Sequence, residues 1–327
     1  MITGGVFEGF TEAKVLTRQT RPTMYFAGVK TGGSAALRMF PAWARLLGLQ
    51  DAQLIGLDFP LDAPDQSYRD ATEHIKSDPL SLGALITSHK IRFMHAAGDL
   101  FDELTAESAL TQEISCIYKR NGRMIGHATD PSVSGSCVER VLDDASIPPR
   151  LFQALCLGAG GAGQALLAYF AAKAPPERRP ARLILSDCNS VQLRRASDLL
   201  SRIPSADLSV DFVEVRRLED NDALVSGLPP YSLVVNATGL GKDQPGSPVS
   251  AKALFPEHGV VWELNYRGEL EFLRQARAQQ ASRHLTVADG WQYFLSSWAL
   301  IVGLVFNVSV DEEMFKRLSE IAESIRQ

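Results

Sequence analysis

The sequence has little of what would place it in a membrane, on nucleic acid or among disulfide-rich proteins. Its most continuous apolar run, Trp298 to Phe306, is less than half of the roughly 20 residues that a membrane-spanning helix requires. Positive charge is not in excess, because 33 Lys and Arg residues face 38 Asp and Glu residues in a chain of 327. No overall basic field is therefore available to attract nucleic acid or an anionic membrane, and a small molecule is the expected partner.

Cysteine is also scarce, and its four residues form no C-x-x-C pair. This pattern predicts neither a disulfide framework nor a metal site, so we expect reduced, mostly buried thiols at Cys116, Cys137, Cys156 and Cys188. The first residues, MITGGVFEGFTEAK, lack a basic segment followed by an apolar one. We therefore expect a cytoplasmic protein, either a monomer or a homodimer.

The length and the apolar pattern predict an α/β protein of about two domains. Up to about residue 135, strands and helices alternate and lead to a predicted hairpin that turns at Asn121-Gly122, which indicates a mixed α/β domain. From Ser136 onward, strand–helix units repeat, which is typical of a doubly wound parallel sheet. The predicted strands there are Gln153 to Leu157, Arg182 to Leu185, Leu208 to Val215, Ser232 to Val235 and Gly259 to Leu264.

The last two predicted helices, Tyr293 to Phe306 and Asp311 to Arg326, have no strands of their own, so we expect them to fold back on the first domain. Asp311 is the predicted N-cap of the second. The predicted domains are therefore a substrate-binding and catalytic domain, residues 1–135 with 290–327, and a Rossmann-type dinucleotide-binding domain, residues 136–289.

A glycine-rich loop stands between the first strand and the first helix of the second domain, in ALCLGAGGAGQALLAYF. Glycine permits a tight turn at the first glycine position of such a loop, close approach of a pyrophosphate at the second, and close helix packing at the third. The helix N-terminus then binds the phosphates. The predicted cofactor-binding residues of the loop are Gly158, Gly160, Gly161, Ala162 and Gly163.

Asp187 ends the next predicted strand, where a carboxylate can accept hydrogen bonds from both hydroxyls of the adenine ribose. This position favours NAD, because a carboxylate repels the 2′-phosphate of NADP. Arg194 and Arg195 are the opposing signal, since an arginine nearby can accommodate that phosphate. A structural alternative is that Asp187 caps the following helix, in competition with Asn189 and Ser190.

Four motifs together resemble the shikimate/quinate dehydrogenase family over nearly the whole chain. They are T-S-H-K at Thr87 to Lys90, G-H-A-T-D at Gly126 to Asp130, G-A-G-G-A-G at Gly158 to Gly163 and V-V-N-A-T-G-L-G at Val234 to Gly241. The resemblance implies an NAD(P)-dependent alcohol dehydrogenase of aromatic amino acid biosynthesis that interconverts a ring secondary alcohol and a ketone. It also implies cofactor contacts at Asn236, Thr238, Leu240 and Gly290, although N-A-T-G alone equally predicts a strand-ending Asx turn.

The family's catalytic lysine and aspartate correspond to Lys90 and Asp130. A lysine amine can take the hydroxyl proton as hydride leaves the carbinol carbon, while a carboxylate orients the amine and binds hydroxyl groups. Here the threonine and the lysine are three residues apart, where the family usually has four, and His89 beside the lysine is a competing base.

The substrate positions depart from the family more than the cofactor positions do. The resemblance implies substrate contacts at Ser34, Thr87, Ser115, Tyr266 and Ser297, but the second serine of the family's carboxylate clamp corresponds to Ala36, and a pocket asparagine to Ala128. Lost hydrogen-bond partners discriminate strongly against a substrate, so we expect a modified relative of shikimate or quinate. Lys30 or Arg38 is a candidate cation for a substrate carboxylate.

Two other functions remain open at this point. A non-catalytic dinucleotide sensor is favoured by the altered pocket and opposed by the retained Lys90 and Asp130. A methylene-tetrahydrofolate dehydrogenase-like enzyme shares the two-domain plan, but its Tyr-x-x-x-Lys is absent from the first domain.

Overall fold

The computed structural model describes residues 6–7, 16–147, 152–204, 207–242 and 244–326, so most of the amino-terminal stretch used for the cytoplasmic prediction lies outside it. The chain divides into two compact units, one running to Thr129 and resuming at Leu295, the other from Asp130 to Phe294. Each unit contains one β-sheet with helices, which confirms the predicted α/β fold class. The predicted domain boundaries at 135/136 and 289/290 stay predictions.

The first unit has a mixed sheet, with seven strands among the described residues. Its elements are β1 Val6–Phe7, β2 Thr23–Gly28, α1 Ala35–Leu46, β3 Gln53–Asp58, α2 Asp65–Ser77, β4 Ser81–Ile86, α3 Lys90–Ala97, β5 Glu103–Leu104, α4 Ala106–Thr111, β6 Cys116–Arg120 and β7 Arg123–His127. The sheet order is β1-β3-β2-β4-β6-β7-β5, and only β6 runs antiparallel to its neighbours. The carboxyl ends of β2, β4 and β7 and the start of β6 therefore meet at one end of the sheet.

The predicted hairpin is formed by β6 and β7. Asn121 and Gly122 both have positive φ values, of 52° and 75°, which is the conformation that a two-residue hairpin turn requires. Because β7 returns beside β6, the hairpin brings Ser115 and His127, which flank its open end, to the carboxyl end of β4.

The second unit has a fully parallel sheet. Its elements are α5 Asp130–Asp144, β8 Gln153–Leu157, α6 Gly161–Ala168, β9 Arg182–Asp187, α7 Ser190–Ser201, β10 Val210–Glu214, α8 Leu218–Ser226, β11 Leu233–Asn236, β12 Val260–Glu263, α9 Glu271–Arg283, β13 Thr286–Ala288 and the start of α10 Trp291–Phe306. The order β10-β9-β8-β11-β12-β13 reverses direction between β8 and β11. Ligands of such sheets bind at this reversal, outside the carboxyl ends of the strands.

Two elements of the second unit differ from the sequence prediction. β13 was not predicted, because a half-buried strand of three residues carries no apolar run. The sequence pattern predicts a helix over Cys137 to Asp144, whereas α5 begins at Asp130. The proline at position 131 is compatible with a first helical turn, whose N–H groups need no helical partner. The small Gly135 of α5 lies against the ring of Tyr169, where a Cβ would come within 2.2 Å of a ring carbon.

The carboxyl-terminal helix α11, Glu312–Glu323, begins as predicted, because the Asp311 side chain accepts a hydrogen bond from the backbone N–H of Met314 at 2.8 Å. The indole of Trp43 in α1 donates to the carbonyl of Leu318 at 2.9 Å, which ties α11 to the first unit. Throughout the described segments, no helix is long and apolar enough to cross a membrane. Cys188 is exposed, whereas the other three cysteines are buried.

Candidate active site

The glycine loop joins β8 to α6 at the reversal of the sheet. Gly158 has a φ of +104°, and its N–H donates to the carbonyl of Ser186 at 2.7 Å. A Cβ on Gly158 would lie 3.0 Å from the backbone carbonyl of Ala237 and 3.1 Å from a methyl of Thr238. Only glycine combines this φ with such close packing, so the predicted tight turn is present.

Gly160 and Gly163 of the loop have opposite environments. A Cβ on Gly163 would lie 2.1 Å from the carbonyl oxygen of Gly158, so this glycine allows α6 to approach β8. A Cβ on Gly160 would meet no protein atom within 4 Å. Gly160 directly precedes α6, whose first residue, Gly161, is exposed. The protein's own packing thus leaves open space in front of a helix N-terminus, where an anion is stabilised.

Asp187 lies at the carboxyl end of β9 and contacts the glycine loop. Its carboxylate accepts hydrogen bonds from the N–H groups of Ala159 and Asn189, each at 2.8 Å. The alternative prediction that Asp187 caps α7 is wrong, because the cap is Asn189, whose side chain accepts from Val191 at 2.9 Å. Arg194 and Arg195 are exposed on α7, and Arg194 donates to the hydroxyl of Ser190 at 3.2 Å.

The segment Asn236–Leu240 follows β11, so it lies on the other side of the reversal from the glycine loop. The Asn236 side-chain oxygen accepts from the backbone N–H of Thr238 at 3.0 Å and from its hydroxyl at 2.6 Å, which is the Asx turn that the bare sequence predicted. The Thr238 hydroxyl in turn accepts from the N–H of Leu240 at 3.2 Å. Because the N–H of Ala237 donates to Leu157 at 2.8 Å, this segment lies directly beside the glycine loop.

Glu263 is a buried acid beneath this segment, and the sequence analysis missed it. Its side chain is fully buried at the carboxyl end of β12, accepting from the side-chain amide of Asn236 at 2.6 Å and from the backbone N–H of Asn265 at 2.7 Å. Burial raises the pKa of Glu263 to about 7, against the opposing effect of these donors and with a smaller contribution from the charge of Asp289. The one sequence feature that could have indicated a buried acid is the position of Glu263 directly after the apolar run Val260 to Trp262.

The same end of the sheet carries Tyr266 and Gly290. A Cβ on Gly290 would lie 1.9 Å from the carbonyl oxygen of Leu264, so close backbone packing itself requires glycine there. Tyr266 is half-buried, and its ring lies 4.4 Å from that of Phe294 and 5.5 Å from that of Trp291, between ring centroids. The predicted cofactor residues of the second unit therefore lie at the carboxyl ends of β8, β9, β11 and β13.

In the first unit, Ser34 and Thr87 follow β2 and β4. The Ser34 hydroxyl accepts from the N–H of Ala36 at 3.2 Å as the N-cap of α1, and Ala36 itself is buried. Thr87 is exposed, and its hydroxyl donates to the carbonyl of Ala27 at 3.1 Å. Lys30, on the loop between β2 and α1, is exposed. Ser297 is half-buried in α10.

Ser115 is only 1% exposed, and its hydroxyl is engaged within the protein. It bonds to the hydroxyl of Thr129 at 2.9 Å and accepts from the backbone N–H of Thr129 at 2.8 Å. Thr129 directly precedes Asp130, the 6%-exposed first residue of α5. The role that these bonds support for Ser115 is to fix the backbone before Asp130, and its contact with a substrate stays a prediction.

His89 and Lys90 have different surroundings at the start of α3. His89 has a φ of 65° and forms two ring hydrogen bonds, between Nε2 and the carbonyl of Phe59 at 2.9 Å and between Nδ1 and the hydroxyl of Tyr68 at 3.1 Å. A carbonyl only accepts, so Nε2 carries the proton and Nδ1 accepts from Tyr68. Burial lowers the pKa of His89, the Phe59 bond opposes this, and the charge of Arg92 adds to it. With both nitrogens engaged, His89 is poorly suited as a base, whereas Lys90 is the half-buried first residue of the helix.

Among the residues that the structure describes, no group of three His, Cys, Asp or Glu side chains is arranged to hold a metal ion. Lys90 belongs to the first compact unit and Asp130 to the second.

Known proteins that resemble this chain in sequence and those that resemble it in fold include proteins named shikimate dehydrogenases. No protein-family model matches the chain. A shikimate dehydrogenase (NADP+) of Streptococcus thermophilus is 28% identical over 55% of this chain, and one of Streptococcus gordonii is 27% identical over 71% of it. These matches cover 58% and 74% of the two relatives, so the chain spans less than two thirds of the first.

Solved structures match nearly the whole chain at lower identity. A quinate dehydrogenase of Corynebacterium glutamicum in complex with NAD has a TM-score of 0.70 at 18% identity, covering 93% of this chain and 99% of that one. A shikimate 5-dehydrogenase of Listeria monocytogenes in complex with shikimate and NAD has a TM-score of 0.70 at 17% identity, covering 94% and 99%. A 5-ketofructose reductase of Gluconobacter has a TM-score of 0.67 at 19% identity, covering 94% and 99%.

The raised pKa of Glu263 predicts how stability depends on pH. The folded protein holds this proton up to about pH 7, whereas the unfolded chain releases it near 4.5, so the contribution of Glu263 to stability falls as pH rises between these values. Glu263→Gln does not titrate. The free energy of unfolding of the wild type minus that of Glu263→Gln, measured by urea denaturation, should therefore decrease by about 2–3 kcal/mol from pH 5 to pH 8. A difference that stays constant or increases would contradict the assignment.

Proposed function

We propose that this chain, whose sequence relatives are named shikimate dehydrogenases, is an NAD(P)-dependent oxidoreductase that interconverts a ring secondary alcohol and a ketone of a cyclic hydroxy acid. The observation that carries the proposal is the glycine loop at the reversal of the second sheet, with open space at Gly160 and close packing at Gly158 and Gly163. That combination suits a pyrophosphate in front of α6. The sequence relatives are named as dehydrogenases of this type.

The residues of the second unit fit a dinucleotide. Gly160, Gly161 and Ala162 would hold the pyrophosphate at the N-terminus of α6, and Asp187 would receive the adenine ribose. Thr238, Leu240 and Gly290 would border the nicotinamide half, with Asn236 supporting this border from below. When bound, the nicotinamide supplies a carbon that accepts or donates a hydride.

Asp187 supports NAD over NADP in this proposal. Its carboxylate already accepts two backbone N–H groups, which fixes it in place beside the loop. A fixed negative charge there repels a 2′-phosphate. The exposed Arg194 and Arg195 on α7 are the groups that would favour NADP, and the two sequence relatives are named for NADP.

Lys90 and Asp130 are the proposed catalytic residues. In the oxidation direction, the Lys90 amine would accept the hydroxyl proton at Nζ while the carbinol carbon loses its hydride and becomes a carbonyl carbon, with the bound nicotinamide supplying the hydride acceptor. Asp130 would accept a substrate hydroxyl, and the Ser115–Thr129 bonds fix the backbone that precedes it.

The substrate side supports a relative of shikimate or quinate with altered polar groups. Ser34, Thr87, Tyr266 and Ser297 remain as proposed contacts, and Ser115 acts through Thr129. Ala36 and Ala128, both buried, stand at two positions where the family resemblance leads one to expect polar side chains. An amino-substituted analogue or a polyol ketone without a carboxylate, such as the 5-ketofructose of the Gluconobacter relative in fold, is the second candidate class.

Gly160 and Gly163 form a matched pair for testing the dinucleotide site. Gly160 has φ −72° and ψ −166°, which alanine adopts, so Gly160→Ala should leave the free energy of unfolding nearly unchanged but weaken NAD binding about tenfold or more. Gly163→Ala should destabilise by about 2 kcal/mol, because its Cβ overlaps the Gly158 carbonyl. Urea denaturation and calorimetric titration with NAD measure both. Wild-type NAD affinity in Gly160→Ala would exclude this loop as the pyrophosphate site.

Replacing the proposed base should separate chemistry from binding. Lys90→Ala should lower kcat by about 10² or more while leaving the Kd for NAD nearly unchanged, because it removes the proton acceptor but no cofactor contact. Lys252→Ala, which removes an exposed lysine, is the control. Unchanged turnover in Lys90→Ala would transfer the role to another residue.

A substrate and cofactor screen tests the reaction itself. Nicotinamide absorbance should change with a cyclic hydroxy acid among shikimate, quinate and their amino-substituted analogues, and more strongly with NAD than with NADP. Preference for NADP would refute the Asp187 argument. Binding of NAD by calorimetry with no absorbance change for any of these acids or for 5-ketofructose would favour the dinucleotide sensor.

A further inference from the structure

Glu263 is the central acceptor of a buried network that ends in the segment beside the glycine loop. One carboxylate oxygen accepts from the Asn236 amide and the other from the backbone N–H of Asn265. The Asn265 side chain then donates to the carbonyls of Thr238 and Leu240, at 3.1 and 3.2 Å. Glu263 thus holds the segment Asn236–Leu240 by two routes, one at each end.

The donors in this network leave Asn236 no choice of orientation. Its Oδ1 faces the N–H and hydroxyl of Thr238, and the N–H of that pair can only donate. Its Nδ2 must therefore face residue 263, which has to accept. Asn265 presents a second donor to the same side chain. An ionised carboxylate, the form that predominates at Glu263 above its pKa of about 7, satisfies both donors, whereas a side chain with one N–H or O–H group sets a donor against a donor.

We propose that Glu263 is a positioning residue for the dinucleotide, whose ionised carboxylate fixes the segment Asn236–Leu240 against the glycine loop. Gly158 packs against Ala237 and Thr238, so a shift of the segment Asn236–Leu240 would also move the surface on which the glycine turn packs. This inference rests on the proposed function, because it assigns Glu263 to the same cofactor site.

Swapping the amide and the acid tests the donor–acceptor requirement itself. Glu263→Gln sets a donor against a donor, and Asn236→Asp sets a carboxylate against a carboxylate. The double variant N236D/E263Q restores every donor–acceptor pair, because the amide now at position 263 donates to the carboxylate now at position 236 and accepts from Asn265 through its oxygen. Each single change should raise the Kd for NAD about tenfold, and the double variant should return it to within about threefold of the wild type.

The matched control is Asp222→Asn, an acid-to-amide change on α8, where Asp222 accepts from the backbone N–H of Ser250 at 2.8 Å and lies outside the segment. It should leave the Kd for NAD unchanged. Each variant is titrated with NAD at about pH 8, where the wild-type Glu263 is mostly ionised, as the whole protein after its folding is checked by circular dichroism. Should a single variant not fold, Asn265→Ala keeps the backbone N–H bond to Glu263 but removes the anchor to the Thr238 and Leu240 carbonyls, and it is expected to raise the Kd severalfold.

The outcomes separate this inference from the proposed function. If the wild type binds NAD and Glu263→Gln or Asn265→Ala binds it equally well, the positioning role is refuted while the proposed function stands. Failure of the folded double variant to recover affinity also refutes the role. If the wild type binds neither NAD nor NADP, the proposed function itself fails.

Discussion

The contact between two strand ends at the reversal of the second sheet is the constraint on which the site depends. Gly158 turns at a φ of +104° directly against the backbone of Ala237, with no room for a side chain between them. The hydrogen bond from Ala237 to Leu157 fixes the same approach from below. Because both segments leave the sheet here, the space in front of α6 is bounded on one side by a glycine turn and on the other by an Asx turn.

Two acidic side chains maintain this contact. Asp187 ties the glycine loop to β9, and Glu263 ties the segment Asn236–Leu240 to β12, in each case with a carboxylate that accepts backbone or amide N–H groups. A fully buried acid is costly unless its partners satisfy it, which is why the pKa of Glu263 rises to about 7 although donors surround it. Glu263 is therefore a buried acid beneath the site, and burial determines the pH at which it ionises.

The sequence was informative where local chemistry decides the structure. The glycine spacing, the Asn121-Gly122 turn and the Asp311 cap each follow from the conformation or hydrogen bond of one or two residues. The role of Glu263 was not accessible in this way, because it depends on the pairing of β11 with β12, which sets Asn236 beside Glu263. The engagement of His89 by Phe59 and Tyr68 likewise comes from contacts distant in sequence.

The substrate side was the least predictable part for the same reason. Ser115 matches a polar pocket position in the family resemblance, yet it is buried and bonded to Thr129. A crystal structure of the protein with NAD is the most direct test of the cofactor site. We expect the pyrophosphate in front of α6 beside Gly160, the adenine ribose at Asp187 and the nicotinamide bordered by Thr238 and Leu240. Electron density for NAD elsewhere, with this end of the sheet empty, would contradict this expectation.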